Sequence, residues 1–125
     1  MSTNESVLNY LKSQGLMPEE TNFGIAFKYQ MCSFLIFKDE DDQSFIQMAM
    51  PGIYEVKEDT MLDVLMACNE VNKGVKVSKA IINDDSVWLL YELVLDSTPV
   101  LDDVIPRGLQ ILMSSRDMFY KNLKG

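Results

Sequence analysis

"FGIAFKYQMCSFLIFKDEDDQSFIQMAMPGIYEV", residues 23–56, decides the fold, because the spacing of apolar residues here differs from that on either side. Ile25, Phe27 and Tyr29 alternate with Ala26, Lys28 and Gln30, the two-residue repeat of a half-buried strand. "CSFLIF" (32–37) is apolar on both faces and reads as a central strand. Ile46, Met48 and Met50 alternate again until Pro51-Gly52 breaks the pattern. Three strands on short connections predict an antiparallel meander. Between the second and third lies "FKDEDDQSF" (37–45), with acids at Asp39, Glu40, Asp41 and Asp42. A helix–loop–helix calcium site requires Gly at its sixth loop position and a bidentate Glu at its twelfth. Counted from Asp39, those positions hold Ser44 and Met50, and the flanks are strands. The cluster is therefore read as a hairpin tip, where Asp suits turn dihedrals and its charge discourages sheet-edge association.

Outward from this stretch the period becomes helical. Upstream, "STNESVLNYLKSQG" (2–15) opens on a capping box of Ser2 and Glu5 and carries a narrow stripe of Val7, Leu8 and Leu11. Gly15 is placed for a left-handed stop. Downstream, "EDTMLDVLMACNEVNKG" (58–74) is capped by Asp59 or Thr60. It has an apolar arc of Met61, Leu62, Leu65, Met66, Cys68 and Val71, wide enough that both sides call for cover. Gly74 again stands where a left-handed stop is expected. "VKVSKAIIN" (75–83) and "SVWLLYELVLD" (86–96) are strands joined at Asn83, Asp84, Asp85 and Ser86, the second almost wholly apolar and so interior. A long final helix follows, capped by Asp102 or Asp103 with Pro106 in its first turn. Its stripe is Ile105, Leu109, Leu112, Phe119 and Leu123. The expected fold is α+β: helix–three strands–helix–two strands–helix, an antiparallel sheet packed with helices in one domain, residues 1–125.

Composition narrows the function. The chain has 125 residues, 47% hydrophobic and 24% charged, enough for a core without covalent staples. A net charge of −8 opposes binding to nucleic-acid backbones and to anionic lipid, while permitting a basic partner protein. Lys73, Lys76 and Lys79 form the one acid-light basic cluster, read as guarding a sheet edge. Nine Met residues serve as pliable core filling or as an adaptable binding surface. Cys32 and Cys68 read as small buried hydrophobes. No apolar run approaches a membrane span and the polar N-terminus lacks a signal-peptide pattern, so a cytoplasmic protein is expected.

There is no His, which removes Ser–His and Cys–His catalysis and the commonest metal ligand. The six Gly are scattered, with no phosphate-binding loop, and Glu19/Glu20 and Asp102/Asp103 fall in solvated or helix-start positions. No enzyme, metal or cofactor is expected. Three residues are candidates for partner binding or for a structural role. Asn69 and Asn72, three apart on one helix face, either bond the backbone entering the next strand or anchor a ligand. Trp88 shares a strand face with Leu90 and is either core or an interface anchor.

"LMACNEVNKGVKVSKAIINDDSVWLLYELVL" (65–95) resembles the YbjN-like family, which is associated with bacterial sensory transduction regulation. In that family a helix ends in L-x-x-x-N-x-x-N, which Leu65, Asn69 and Asn72 match, and a turn of Asn, Asp or Gly precedes an apolar run, as from Asn83 to Leu95. The family is similar in fold to the type III secretion chaperones, small acidic proteins, mostly homodimers, that hold an extended partner segment. The resemblance implies a non-enzymatic protein-binding module, chaperone-like or regulatory, that self-associates as a homodimer. A second expectation is a small-molecule sensor or cryptic enzyme with a pocket between the sheet and the last helix, where Tyr91, Asn69 or Glu92 would supply polar contacts.

Overall fold

A computed structural model describes residues 3–38, 41, 44–96 and 98–123. The capping residue Ser2 and the acids Asp39, Glu40 and Asp42 of the proposed hairpin tip lie outside the described residues. Helix α1 (Thr3–Ser13) leads into strands β1 (Glu19–Glu20), β2 (Gly24–Tyr29), β3 (Cys32–Phe37) and β4 (Phe45–Glu55). A 3-10 turn (Glu58–Thr60), α2 (Met61–Gly74), β5 (Ser78–Asn83), β6 (Ser86–Val94) and α3 (Leu101–Asn122) complete the chain. The expected order is present with one added strand. β1 escaped the sequence reading because two glutamates show no apolar alternation; backbone pairing of Glu19 with Ala26 and Glu20 with Ile25 makes it a strand.

All six strands form one antiparallel sheet in the order β1-β2-β3-β4-β6-β5. β2, β3 and β4 are the anticipated meander, and β6 is interior as its apolar run demands. Pro51-Gly52 does not end β4. The strand continues to Glu55 through an irregularity between Met50 and Tyr54, where Pro51 owes no ladder donor and Gly52 takes φ 57°.

All three helices cover one face. Ile25, Phe34, Ile36, Met48, Leu89 and Tyr91 from the sheet meet Val7 and Leu11 of α1, Val64 and Val71 of α2, and Ile105, Leu112 and Phe119 of α3 in one core. The closest approach is at Gly108, where a Cβ would stand 2.8 Å from the Tyr91 ring and 3.3 Å from Met48 Cε. Ser115, fully buried, donates to the Ile111 carbonyl at 2.8 Å and shares a 2.6 Å bond with Ser78. The Tyr120 hydroxyl donates to the Ile53 carbonyl, tying the end of α3 to β4.

Several helix ends differ from expectation. Gly15 has φ 73° and is the left-handed stop. Gly74 is not: it closes α2 without a positive φ, and its missing side chain instead admits Met118, whose Sδ lies 2.8 Å from where a Cβ would be. Thr60 is the N-cap residue of α2, as one of the two alternatives has it, but its side chain makes no cap bond: its hydroxyl bonds the backbone N–H and carbonyl of Lys57, bracing the 3-10 turn. Val100, not Asp102 or Asp103, is the N-cap of α3. Both aspartates lie in the first turn, where they favour the positive end of the helix dipole. Because α3 starts at Leu101, Pro106 lies in its second turn and costs one intrahelical bond.

Candidate partner-binding surfaces

The two asparagines divide. Asn72 Nδ2 donates to the Ala80 carbonyl at 3.2 Å, and the Ala80 N–H donates to Asn72 Oδ1 at 2.7 Å. The side-chain amide thus plays the part of a neighbouring strand residue on the outer edge of β5. This is the backbone-bonding role foreseen for it. Of the lysines expected to guard that edge, Lys79 belongs to the edge strand itself. Lys79 turns onto the sheet face to meet Glu92 at 2.7 Å, and Lys73 lies 3.6 Å from Glu70 on its own helix. Asn69 does not join Asn72 at the strand; it is exposed on the outside of α2.

Around Asn69 the surface is apolar. Leu62, Leu65 and Met66 are 70%, 50% and 50% exposed, on the side of α2 opposite the buried Val64, Ala67, Cys68 and Val71. The wide arc read from the sequence is thus a helix with two greasy sides, one of them uncovered by the described residues. The 3-10 turn ahead of this stripe carries Glu58 and Asp59, and the stripe ends at Lys73.

The second surface is the sheet face that the helices leave open. Pairing places Ala26, Leu35, Ala49, Leu90 and Lys79 in one row across it. Trp88 lies on this face, half-buried, and is not part of the helix-side core. Its ring stacks on Phe37 with centroids 6.2 Å apart and planes 17° apart, and its Nε1 donates to Ser86 Oγ at 3.1 Å. Phe37 sits two residues beyond Leu35 on β3, and Trp88 two residues before Leu90 on β6, so the diagonal joining them crosses Ala49. That explains why Ala49 is fully buried, and Leu90 beside it nearly so, on the face that the helices leave open. Ile81 opposite Trp88, together with Phe45 and the exposed Val94, extends the apolar area. Its polar part is an ordered group: Glu92 accepts from Gln47 at 2.7 Å and pairs with Lys79. Sequence alternation reveals two faces for β6 but not which one the helices cover, so Trp88 was legible as a face-sharer of Leu90 and no further.

The three residues expected to line a small-molecule pocket between the sheet and the last helix do not converge. Tyr91 lies under α3, its hydroxyl 3.4 Å from the Val104 carbonyl, with Gly108 flush against its ring. Burial pushes its phenol pKa up, Asp103 adds to the rise and Arg107 opposes it. Glu92 is on the opposite face of the sheet, and Asn69 is outside α2. The three point in three directions. A separate open groove of about 480 Å³ runs between the α1–β1 connection and the edge of β2, lined by Leu16, Met17, Phe27, Lys28 and Phe34 among others. Burial also raises the Cys68 thiol pKa; Cys32 and Cys68 are both free. No helix among the described residues is long and apolar enough to cross a membrane.

No family profile matches the sequence, and no curated protein matches it. Solved structures do. YbjN, a proposed transcription regulator from E. coli, superposes with a TM-score of 0.68 at 12% identity, over 94% of this chain and 88% of that one. The fold is YbjN-like. An uncharacterized protein from Methanothermobacter thermautotrophicus superposes with a TM-score of 0.62, also at 12% identity, over 98% of this chain and 99% of that one. At such identity the likeness concerns the fold, and side-chain roles rest on the geometry above.

Proposed function

We propose that this YbjN-like fold is a non-enzymatic protein-binding module, a chaperone-like or regulatory adaptor that also self-associates. The open sheet face carries the reading. Half-buried Phe37, Phe45, Ile81 and Trp88 and the exposed Val94 give it an apolar surface with one ordered charged group, the make-up of an interface with an aromatic anchor. A regulatory role would be exerted through the same surface; YbjN, similar in fold, is itself described as a proposed transcription regulator.

The test is selection of binders from a displayed library of unstructured peptides, run in parallel on the wild type and on a Phe37→Ser/Trp88→Ser variant whose folding is checked by circular dichroism. Peptides enriched by the wild type and lost by the variant are expected, and Trp88 fluorescence should shift as they bind. Equal enrichment by the two proteins would overturn the reading. So would a metabolite that raises the melting temperature saturably in a thermal-shift screen.

A further inference from the structure

We propose that the crevice between the α2–β5 turn and α3 receives a phosphate monoester carried on a protein segment, a phosphorylated serine or threonine of the partner. This rests on the protein-binding reading above and names a chemical mark that the partner bears.

The helical repeat of α3 supplies most of the site. Arg107, Gln110, Ile111 and Ser114 are spaced i, i+3, i+4 and i+7, so they share one face. Val75 and Lys76, in the turn between α2 and β5, close the crevice from the other side, leaving about 280 Å³. Two cations, an amide and a hydroxyl thus line one crevice with no carboxylate among them, in a chain of 19 acids and 11 bases. The side chains of Lys76, Gln110 and Ser114 have no hydrogen bond or ion pair among the described residues. Arg107 gives one nitrogen to Asp103, 2.9 Å away, and keeps the other donors of its fork. The turn that carries Lys76 is also held at a cost. Val77 takes φ 63°, where a β-branched residue is strained, and its side chain is 53% exposed, so packing does not repay it.

Charge and size choose the ligand. Two cations with two neutral donors suit a dianion with three oxygens better than a carboxylate, which has one charge and two oxygens. A dianion can also draw Arg107 away from the single charge of Asp103. The crevice is smaller than the roughly 300–1,000 Å³ of sites that enclose a whole small molecule. It takes the phosphate group and leaves the bearer outside, to be held along the surface as a protein segment is. All four polar side chains are exposed, so the phosphate group alone should bind at about the millimolar level in low salt.

Amide NMR of the full chain near neutral pH tests it, with separate titrations of a phosphoserine tripeptide, its unphosphorylated form, inorganic phosphate and glucose 6-phosphate. The phosphopeptide and inorganic phosphate should move the amides of 75–78 and 107–114 saturably, and the unphosphorylated peptide should not. Lys76→Ala and Arg107→Ala should each weaken the phosphopeptide several-fold. Asp103→Asn, which frees Arg107, should tighten it a few-fold, an effect that a merely structural role for Asp103 would not produce. Near pH 5 the phosphate carries a single charge and binding should weaken several-fold. Affinity indifferent to that step overturns the choice of phosphate over carboxylate. Glucose 6-phosphate binding far more tightly than the phosphopeptide overturns the protein-borne source. No saturable shift at these amides with any phosphate overturns the crevice alone and leaves the sheet-face reading standing, because the peptide selection reads Phe37 and Trp88 instead.

Discussion

Replacing Asn72 by Ala isolates the contribution of one side chain to the sheet's outer edge. The amide makes two bonds to a single backbone unit, accepting from the Ala80 N–H at 2.7 Å and donating to the Ala80 carbonyl at 3.2 Å. Each such bond contributes about 0.5–1.5 kcal/mol net, more where the orphaned group stays away from water. Ala80 is 4% exposed, so its N–H and carbonyl are only partly rescued by solvent. Two lost bonds give about 2–3 kcal/mol. Ala is the better helix former by roughly half a kcal/mol, leaving a net loss of about 2 kcal/mol. Spread over 125 residues at about 2.1 cal/mol/K each, that lowers Tm by about 8 °C. Asn69→Ala is the control: one turn away, with no bond to β5, it should change stability by less than about 0.5 kcal/mol. Asn72→Asp should do worse than Ala, because a carboxylate faces the Ala80 carbonyl with no proton to donate. Urea denaturation gives the magnitudes, and hydrogen exchange gives the site: the Ala80 amide should exchange faster in Asn72→Ala while the β4–β6 amides exchange only as global stability dictates. If Asn72→Ala matches Asn69→Ala, or the Ala80 amide is no less protected, the edge-closing role is wrong.

Gly108→Ala drives a methyl group into the Tyr91 ring and should destabilise by about 1–3 kcal/mol in thermal unfolding, despite the better helix propensity of Ala. Gly74→Ala meets only the flexible end of Met118 at a non-positive φ and should be neutral or stabilising by up to about 1 kcal/mol. The Tyr91 phenol keeps its proton longer folded than unfolded, because burial raises its pKa above the ordinary 10.0. Its contribution is therefore complete below that pH and is lost as pH rises through the folded value, so urea midpoints should fall above pH 10, and less steeply in Tyr91→Phe. The Cys68 thiol acts with the same sign from about pH 9, its ordinary value being 9.0 and burial raising it; Cys68→Ala should remove that part of the slope.

What the sequence made legible follows its periodicities. Alternation in 25–30 and 46–50 and the continuous apolar runs of 32–37 and 86–95 placed the meander and the interior strand, and the stripe Ile105, Leu109, Leu112 and Phe119 placed α3 on the core. What it hid is what pairing and rotation decide. β1 exists only because β2 offers it an edge, and β4 runs through Pro51 because a bulge excuses the missing donor. Asn69 and Asn72 are neighbours in a three-residue spacing, yet such a spacing leaves about 60° between them around the helix. That rotation turns one to the edge of β5 and the other into the apolar stripe. Trp88 shared a face with Leu90, as expected, but no local pattern says that α3 covers the opposite one.

The arrangement of these features favours one mode of recognition over another. A bare sheet edge invites an added strand from any extended chain. Here the β5 edge is occupied at its centre by Asn72, and the β2 edge is taken at Ile25 and Ala26 by a strand of two glutamates, too short and too charged to recruit another. The apolar surface is instead left on the flat of the sheet and along the back of α2, where contact is by side chains and not by backbone ladders. Side-chain contact discriminates between partners by shape and charge, whereas edge pairing accepts most sequences. Closed edges beside open faces therefore suit a binding module that must find a particular partner while resisting indiscriminate strand addition.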